Sequence, residues 1–336
     1  MTVRNSTATS TNLSKILWTI IRFREAGISI FIVLLVITIS SLAPAFLKIT
    51  NLQNLFMNIS ILAIVALGQT MVIITHGIDL SVSSIIGLVA MIVAFMIKLF
   101  PSIPVSLALL LGMALGAILG SFNGLIISYG KVPPIIATLG TLSIFRGLVF
   151  FYSQGSWVNA FELPKSFKSF ALDTPLLVPN LVIAAIIVAL VVYFFLNFTR
   201  TGRNIYAVGS NPEAAQFAGI RPQRIIFLVY VLSGVAAGLA GVLWASYYAS
   251  AQTNTALGFE LQTVAAAVVG GVSISGGVGT VPGVLLGALL LGTIQNSLTL
   301  INISPFWELA AQGLLILLAV VSDNLILRRT QKVARQ

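Results

Sequence analysis

Ionisable side chains are scarce inside the apolar stretches of this chain, and any chemistry would have to start from them. They are His76, Asp79, Arg146, Glu260, Glu308 and Asp323. An acid buried in an apolar span is the usual material of a proton relay. Asp79 and Glu260 invite that reading. Each, however, follows a glycine and opens an apolar run, where an acid caps a helix and complements its dipole. Their position favours the role of structural helix-start acids. His76 has the right residue type for a pH sensor, but beside Gly77 at a run's end a local hydrogen bond is the plainer expectation. Arg146 is expected to snorkel to the nearer interface. Glu308, just after Pro305, fits a first-turn acid, and Asp323 falls near the inner end of the last run.

No set able to make or break bonds accompanies these residues. The sequence lacks an acid-rich D-D-x-x-D cluster, an H-E-x-x-H pair and a serine with a nearby histidine. With no cysteine and one histidine, it offers neither a thiolate nor a two-histidine metal site. A glycine-rich phosphate loop ending in Lys-Ser or Lys-Thr is also missing. The expectation is a non-enzyme with no catalytic residue, no metal and no cofactor of its own. If ATP drives it, another chain binds the nucleotide and its magnesium.

The remaining polar residues within apolar runs are neutral. Asn58, Gln69, Asn123, Thr138, Gln295 and Asn296 are the candidates for a translocation path, since amides and hydroxyls suit a neutral, polyhydroxylated cargo better than an ion. The same groups serve equally as glue between helices, alongside small residues.

The elements that must position them follow from composition. Apolar residues make up 58% of the chain and charged residues 8%, more apolar surface than a water-soluble domain of this length can hide. Apolar runs near 27–43, 55–75, 80–97, 105–129, 133–152, 180–198, 225–249, 261–275, 281–301 and 306–327 predict an all-α polytopic membrane protein of about ten helices, at ~20 residues each. The first run ends in Ala43-Pro44-Ala45, which mimics a cleavage site, yet so many spans follow that an uncleaved anchor is expected. The domain division is a tail at 1–26, a membrane domain at 27–327 and a tail at 328–336. Positive charge gathers in both tails and in the loop 199–224. This fits a positive-inside bias rather than a nucleic-acid groove, and places both termini and that loop in the cytoplasm. The run at 261–275 is short and leads into a glycine-dense turn, so it is expected to break and leave rather than cross as one rod.

Loop 199–224 is the one long basic interruption. Its middle reads as a short helix: Asn211 as N-cap, Pro212 at the first helical position, Glu213 in the first turn and Gly219 at the left-handed C-terminal position. Ala214 and Ala215 lie within it, and Ile220 and Arg221 follow. So short a helix must lean on something. It is either a docking knob or a neat join between two spans.

Local patterns recur in order. Gly77-Ile78-Asp79-Leu80 pairs with Gly258-Phe259-Glu260-Leu261, Gly116-Ala117 with Gly287-Ala288, and Gly120-Ser121-Phe122 with Gly292-Thr293-Ile294. The halves point in opposite directions, as an inverted-topology repeat of spans two to five against seven to ten predicts.

Gly209-Ser210-Asn211-Pro212-Glu213-Ala214-Ala215, continuing to Ala218-Gly219-Ile220, resembles the cytoplasmic docking segment of ribose-type ABC importer permeases. Gly77-Ile78-Asp79-Leu80-Ser81-Val82, Pro134-Ile135-Ile136-Ala137-Thr138-Leu139-Gly140 and Gly270-Gly271-Val272-Ser273 look like the same family, and the similarity covers nearly the whole chain. The resemblance implies the membrane subunit of a bacterial carbohydrate importer in the inner membrane, paired with an identical or different permease. It implies cargo from a periplasmic or lipid-anchored solute-binding protein, and drive from a cytoplasmic ATPase whose two nucleotide-binding domains share one chain. Asn211, Glu213, Ala214, Ala215, Gly219, Ile220 and Arg221 would then couple the ATPase to the spans. Relatives often have glycine where this chain has His76 and Ser84. The alternative is an ion-coupled secondary transporter of a small neutral solute, which should carry acids deep in the membrane.

Overall fold

The computed structural model describes residues 24–301 together with helical positions 307, 310, 313, 314 and 317. Residues 1–23 of the N-terminal tail, the C-terminal tail, Glu308, Asp323 and most of the last apolar run lie outside the described residues. Within them the chain forms twelve α-helices: α1 (Arg24–Leu42), α2 (Ile49–Ile74), α3 (Val82–Leu99), α4 (Val105–Ser128), α5 (Pro134–Ser153), α6 (Lys165–Phe170), α7 (Asn180–Phe198), α8 (Arg200–Ser210), α9 (Pro212–Phe217), α10 (Pro222–Tyr247), α11 (Phe259–Val269) and α12 (Val281–Leu300). Eight of these, α1 to α5, α7, α10 and α12, are long and apolar enough to cross a bilayer. Among the described residues the sole β pairing is an isolated bridge between Val158 and Ala251.

The centre of the bundle is α2. Almost wholly apolar over its second half, it is buried without a break from Ile59 to Ile74, as a stretch with no continuous polar face must be. Its hydroxyls stay local: Thr70 donates to the Ala66 carbonyl at 2.6 Å and Ser60 to Phe56 at 2.6 Å. Helices α4 and α10 pack backbone to backbone. A Cβ added at Gly116 would lie 2.1 Å from the Gly234 carbonyl oxygen, and one at Gly234 would lie 2.2 Å from that of Gly116. With Gly112, Gly120 and Gly238 on the same faces, four-residue spacing of small residues lets two membrane helices touch without side chains between them.

The repeat shows in which helices meet. Gly120 of α4 lies against α10, whereas its counterpart Gly292 of α12 lies against Ile59 of α2. The fourth span thus packs on the seventh and the ninth on the second, the exchange that two interleaved inverted halves require. Helix α11 has 11 residues, about 16 Å at ~1.5 Å per residue, roughly half a ~30 Å hydrocarbon layer. As expected, this part of the chain does not cross as one straight rod. Irregular segments at 248–258 and 270–280 complete the passage, and Gly277 donates its N–H to the Ile74 carbonyl at 2.9 Å, at the end of the bundle opposite α11's start. Gly271, Gly276 and Gly277 take positive φ there, a backbone that glycine adopts without a steric penalty.

Candidate functional site

The basic loop folds into two helices rather than one. Thr199 opens α8 by accepting the N–H of Gly202 at 3.0 Å, and α8 buries Gly202, Ile205, Val208 and Gly209 along one face. That three-to-four-residue spacing behind a threonine cap was the available signal; the surrounding arginines obscured it. Next, Asn211 Oδ1 accepts the N–H of Ala214 at 2.9 Å and starts α9, with Pro212 in the first turn. Gly219 has φ +84°, and the N–H of Ile220 returns to the Ala215 carbonyl at 3.0 Å. Only Ala215 of α9 is buried. Glu213, Ala214 and Arg221 are exposed, and Phe217 is 92% exposed. Arg200, Arg203 and Arg224 are exposed around it.

This ridge is tied to the spans by contacts that leave no slack. A Cβ at Gly209 would lie 1.9 Å from the Ile74 carbonyl oxygen. Tyr206 donates its hydroxyl to the Gly279 carbonyl at 2.8 Å. His76 has φ +64° and its ring lies over Gly276. The left-handed backbone explains why glycine suits this position, and histidine is among the side chains that enter that region most readily.

Beside this junction the 76–81 hairpin, the turn that joins α2 to α3, is held by several polar contacts, although Asn123 Oδ1 and the Tyr230 hydroxyl within the same cluster are buried without a partner. Asp79 accepts from the Ser81 N–H at 3.0 Å, the Ser81 hydroxyl at 2.6 Å and the Ser233 hydroxyl at 3.2 Å. Asn123 donates to the Ser81 hydroxyl at 2.7 Å, and Thr138 to the Ile78 carbonyl at 3.1 Å. With its amide oriented to satisfy both groups, Gln69 donates to the Asp79 carbonyl and accepts the Asp79 N–H. Gln69, Asn123 and Thr138 are thus buried and bonded to this turn. Asp79 is fully buried and sits two residues before the N-cap Ser81, a more enclosed place than a helix cap at a membrane surface.

At the far end, Arg146 does not snorkel. Its Nη1 donates to the carbonyls of Thr253 at 3.1 Å and Thr255 at 2.9 Å, so the guanidinium turns inward and fastens the segment before α11. Glu260 lies near it in the first turn of α11, whose N-cap position is Gly258; its Oε2 is buried without a hydrogen-bond partner. Nearby, Asn58 and Gln295 line a cavity of about 280 Å³ between α2, α10, α11 and α12. Asn296 is turned away from it and exchanges two hydrogen bonds with Asn51, at 2.9 and 3.0 Å. On the same end Lys98 pairs with Glu162, and together with the Asn159 N–H it holds that carboxyl below its ordinary range.

A helical bundle of membrane spans, with an inverted repeat and a capped helix projecting from one end, is the geometry of a transport subunit. The family described as "Branched-chain amino acid transport system / permease component" matches residues 51–320. The chain belongs to this permease family. It is 40% identical to the ribose import permease protein of Bacillus subtilis (strain 168), over 87% of this chain and 90% of that one. Identity to the galactose/methyl galactoside import permease protein of Escherichia coli (strain K12) is 37%, covering 90% and 94%. Identity to the autoinducer 2 import system permease protein of Salmonella typhi is 34%, covering 90% and 86%. No solved structure matches it. The permease is thus a multi-pass membrane protein and a component of a transport system.

Proposed function

We propose that this permease is the membrane subunit of an ATP-driven bacterial importer for a sugar or sugar-like solute, worked from the cytoplasm through α8 and α9. The observation that carries the reading is a contrast within one ridge. Phe217 is left 92% exposed on α9, while Gly209, eight residues earlier, is pressed against the end of α2. A surface offered outward and rigidly joined inward suits a lever for a partner; a mere join between spans has no use for it. The relatives' names, import permeases for ribose and for galactose, support the cargo class.

In this mechanism the permease binds no nucleotide. A cytoplasmic ATPase with paired nucleotide-binding domains grips α9 at Glu213, Ala214 and Phe217, and the basic rim of arginines keeps the ridge at the inner face of the plasma membrane. Closure of the ATPase pushes α9, and α8 passes the displacement to Ile74, to the 76–81 hairpin and to the 270–280 segment. Those three belong to opposite halves of the repeat, so one push moves both. A periplasmic or lipid-anchored binding protein delivers the solute at the other end, and a second permease subunit completes the path. Glu213→Arg should abolish uptake of D-ribose or D-galactose while the protein remains in the membrane at normal level. Unchanged uptake that stops when the proton or sodium gradient is dissipated would instead establish a secondary carrier.

A further inference from the structure

We propose that the far-end cavity within a single subunit is a binding station for one uncharged, polyhydroxylated solute on its way through the permease. This rests on the importer reading above and names the site and the chemical class that it takes. The cavity, about 280 Å³, is lined by Asn58 of α2, Trp244 and Tyr248 at the end of α10, Asn254 before α11, Gln262 of α11 and Gln295 of α12. Its size lies just under the ~300–1,000 Å³ of small-molecule pockets, which suits one small ring and not a chain of them.

The lining chemistry is selective. Four carboxamides supply both donors and acceptors, matching hydroxyl groups that also do both. Among the described residues, no acid, lysine, arginine or histidine lines the cavity. A zwitterion would leave its ammonium and carboxylate without counter-charges there, a costly burial. Trp244 and Tyr248 pack with ring centroids 4.9 Å apart, and Phe259 stands edge-on to Trp244 at 5.3 Å. These rings give the cavity an apolar wall for the C–H face of a sugar ring, and their amphipathic character suits such a surface. The Tyr248 hydroxyl donates to Asn58 Oδ1 at 3.3 Å, which ties the amide to the aromatic wall.

Position strengthens the assignment. Asn58 and Gln295 are exposed residues of two long apolar helices. Amides exposed on spans belong where the span borders water or a polar cargo and not lipid. Helix α2 belongs to the first half of the repeat and α10 to α12 to the second. A movement between halves therefore changes the distance from Asn58 to Gln295, which would release a bound solute.

The chain contains no cysteine, so one introduced thiol reports on one place. Gln295→Cys in the full-length protein, held in lipid nanodiscs, would be labelled with a membrane-impermeant thiol reagent in the presence of D-ribose, D-galactose, L-leucine or D-glucuronate. At least one of the two neutral sugars should slow labelling by a factor of 1 + [L]/Kd, about threefold at twice Kd. L-Leucine and D-glucuronate should not slow it, and Ser156→Cys, exposed outside the cavity, should be indifferent to all four. Asn58→Cys repeats the measurement from the opposite wall. A thiol that is never labelled, that is labelled at the same rate with every solute, or that is protected by leucine overturns the proposal. Uptake of the same sugars by cells carrying the native importer tests the importer reading separately. Uptake without protection overturns the cavity alone, and absence of both overturns the reading as well.

Discussion

Gly209 of α8 meets the carbonyl oxygen of Ile74, the last residue of α2, with room for a hydrogen and nothing larger: a Cβ there would fall 1.9 Å from that oxygen. The same oxygen accepts the N–H of Gly277 at 2.9 Å. One carbonyl thus gathers the projecting ridge, the central buried helix and the segment after α11. Motion of any one must be felt by the other two.

Gly209→Ala should therefore force the ridge away from α2. Overpacking of this kind costs about 1–3 kcal/mol, so the thermal midpoint of the purified protein should fall. Uptake should fall by more than the loss of folded protein explains. Wild-type uptake and midpoint would show that the contact yields freely.

Asp79 separates a structural acid from a proton carrier. Asp79→Leu leaves the Ser81 N–H and the hydroxyls of Ser81 and Ser233 without their acceptor, at about 1–3 kcal/mol for each orphaned group. The yield of monodisperse protein should collapse. Asp79→Asn keeps an acceptor for Ser81 and should retain near-normal uptake, as measured with radiolabelled sugar in cells. A relay would lose uptake with asparagine as surely as with leucine.

Arg146 fastens the 251–258 segment through two carbonyls. Arg146→Met removes both charge-assisted bonds, each worth about 1.5–3 kcal/mol, and leaves Glu260 without its nearby positive charge. Amide hydrogen exchange over residues 253–259 should accelerate, with exchange in α4 and α10 unchanged. Unaltered exchange in that segment would mean that Arg146 is not what holds it.

Much of the architecture was legible in the sequence, for a physical reason: long apolar runs have few alternatives to crossing a membrane. The caps of α9 were equally readable, because Asn211, Pro212 and Gly219 each answer a local backbone need. Partners across the bundle were not readable. Gln69, Asn123 and Thr138 stand out as neutral polar residues in oil, which establishes that each must be satisfied but not by what. The answer, the 76–81 hairpin, exists only once α2, α4 and α5 are packed. Arg146 misled for the same reason, since snorkelling and an inward carbonyl clamp require the same residue at the same depth. Helix α8 was hidden by its charge: Arg200 and Arg203 drew the reading toward a loop, while Ile205 and Val208 marked the buried face. The α4–α10 contact, carried by Gly112, Gly116, Gly120, Gly234 and Gly238, has a sequence signature at four-residue spacing. The choice of which two helices share it is tertiary.

The proposed drive through α9 implies that the permease alone moves nothing uphill. Purified protein should be reconstituted into liposomes with an imposed proton or sodium gradient, and accumulation of D-ribose and D-galactose measured before and after addition of the ATPase, ATP-magnesium and the binding protein. No sugar should accumulate above its outside concentration until all three are present, and Phe217→Ala should depress that accumulation without loss of incorporated permease. Uphill accumulation by the permease alone, driven by the ion gradient, would contradict the account.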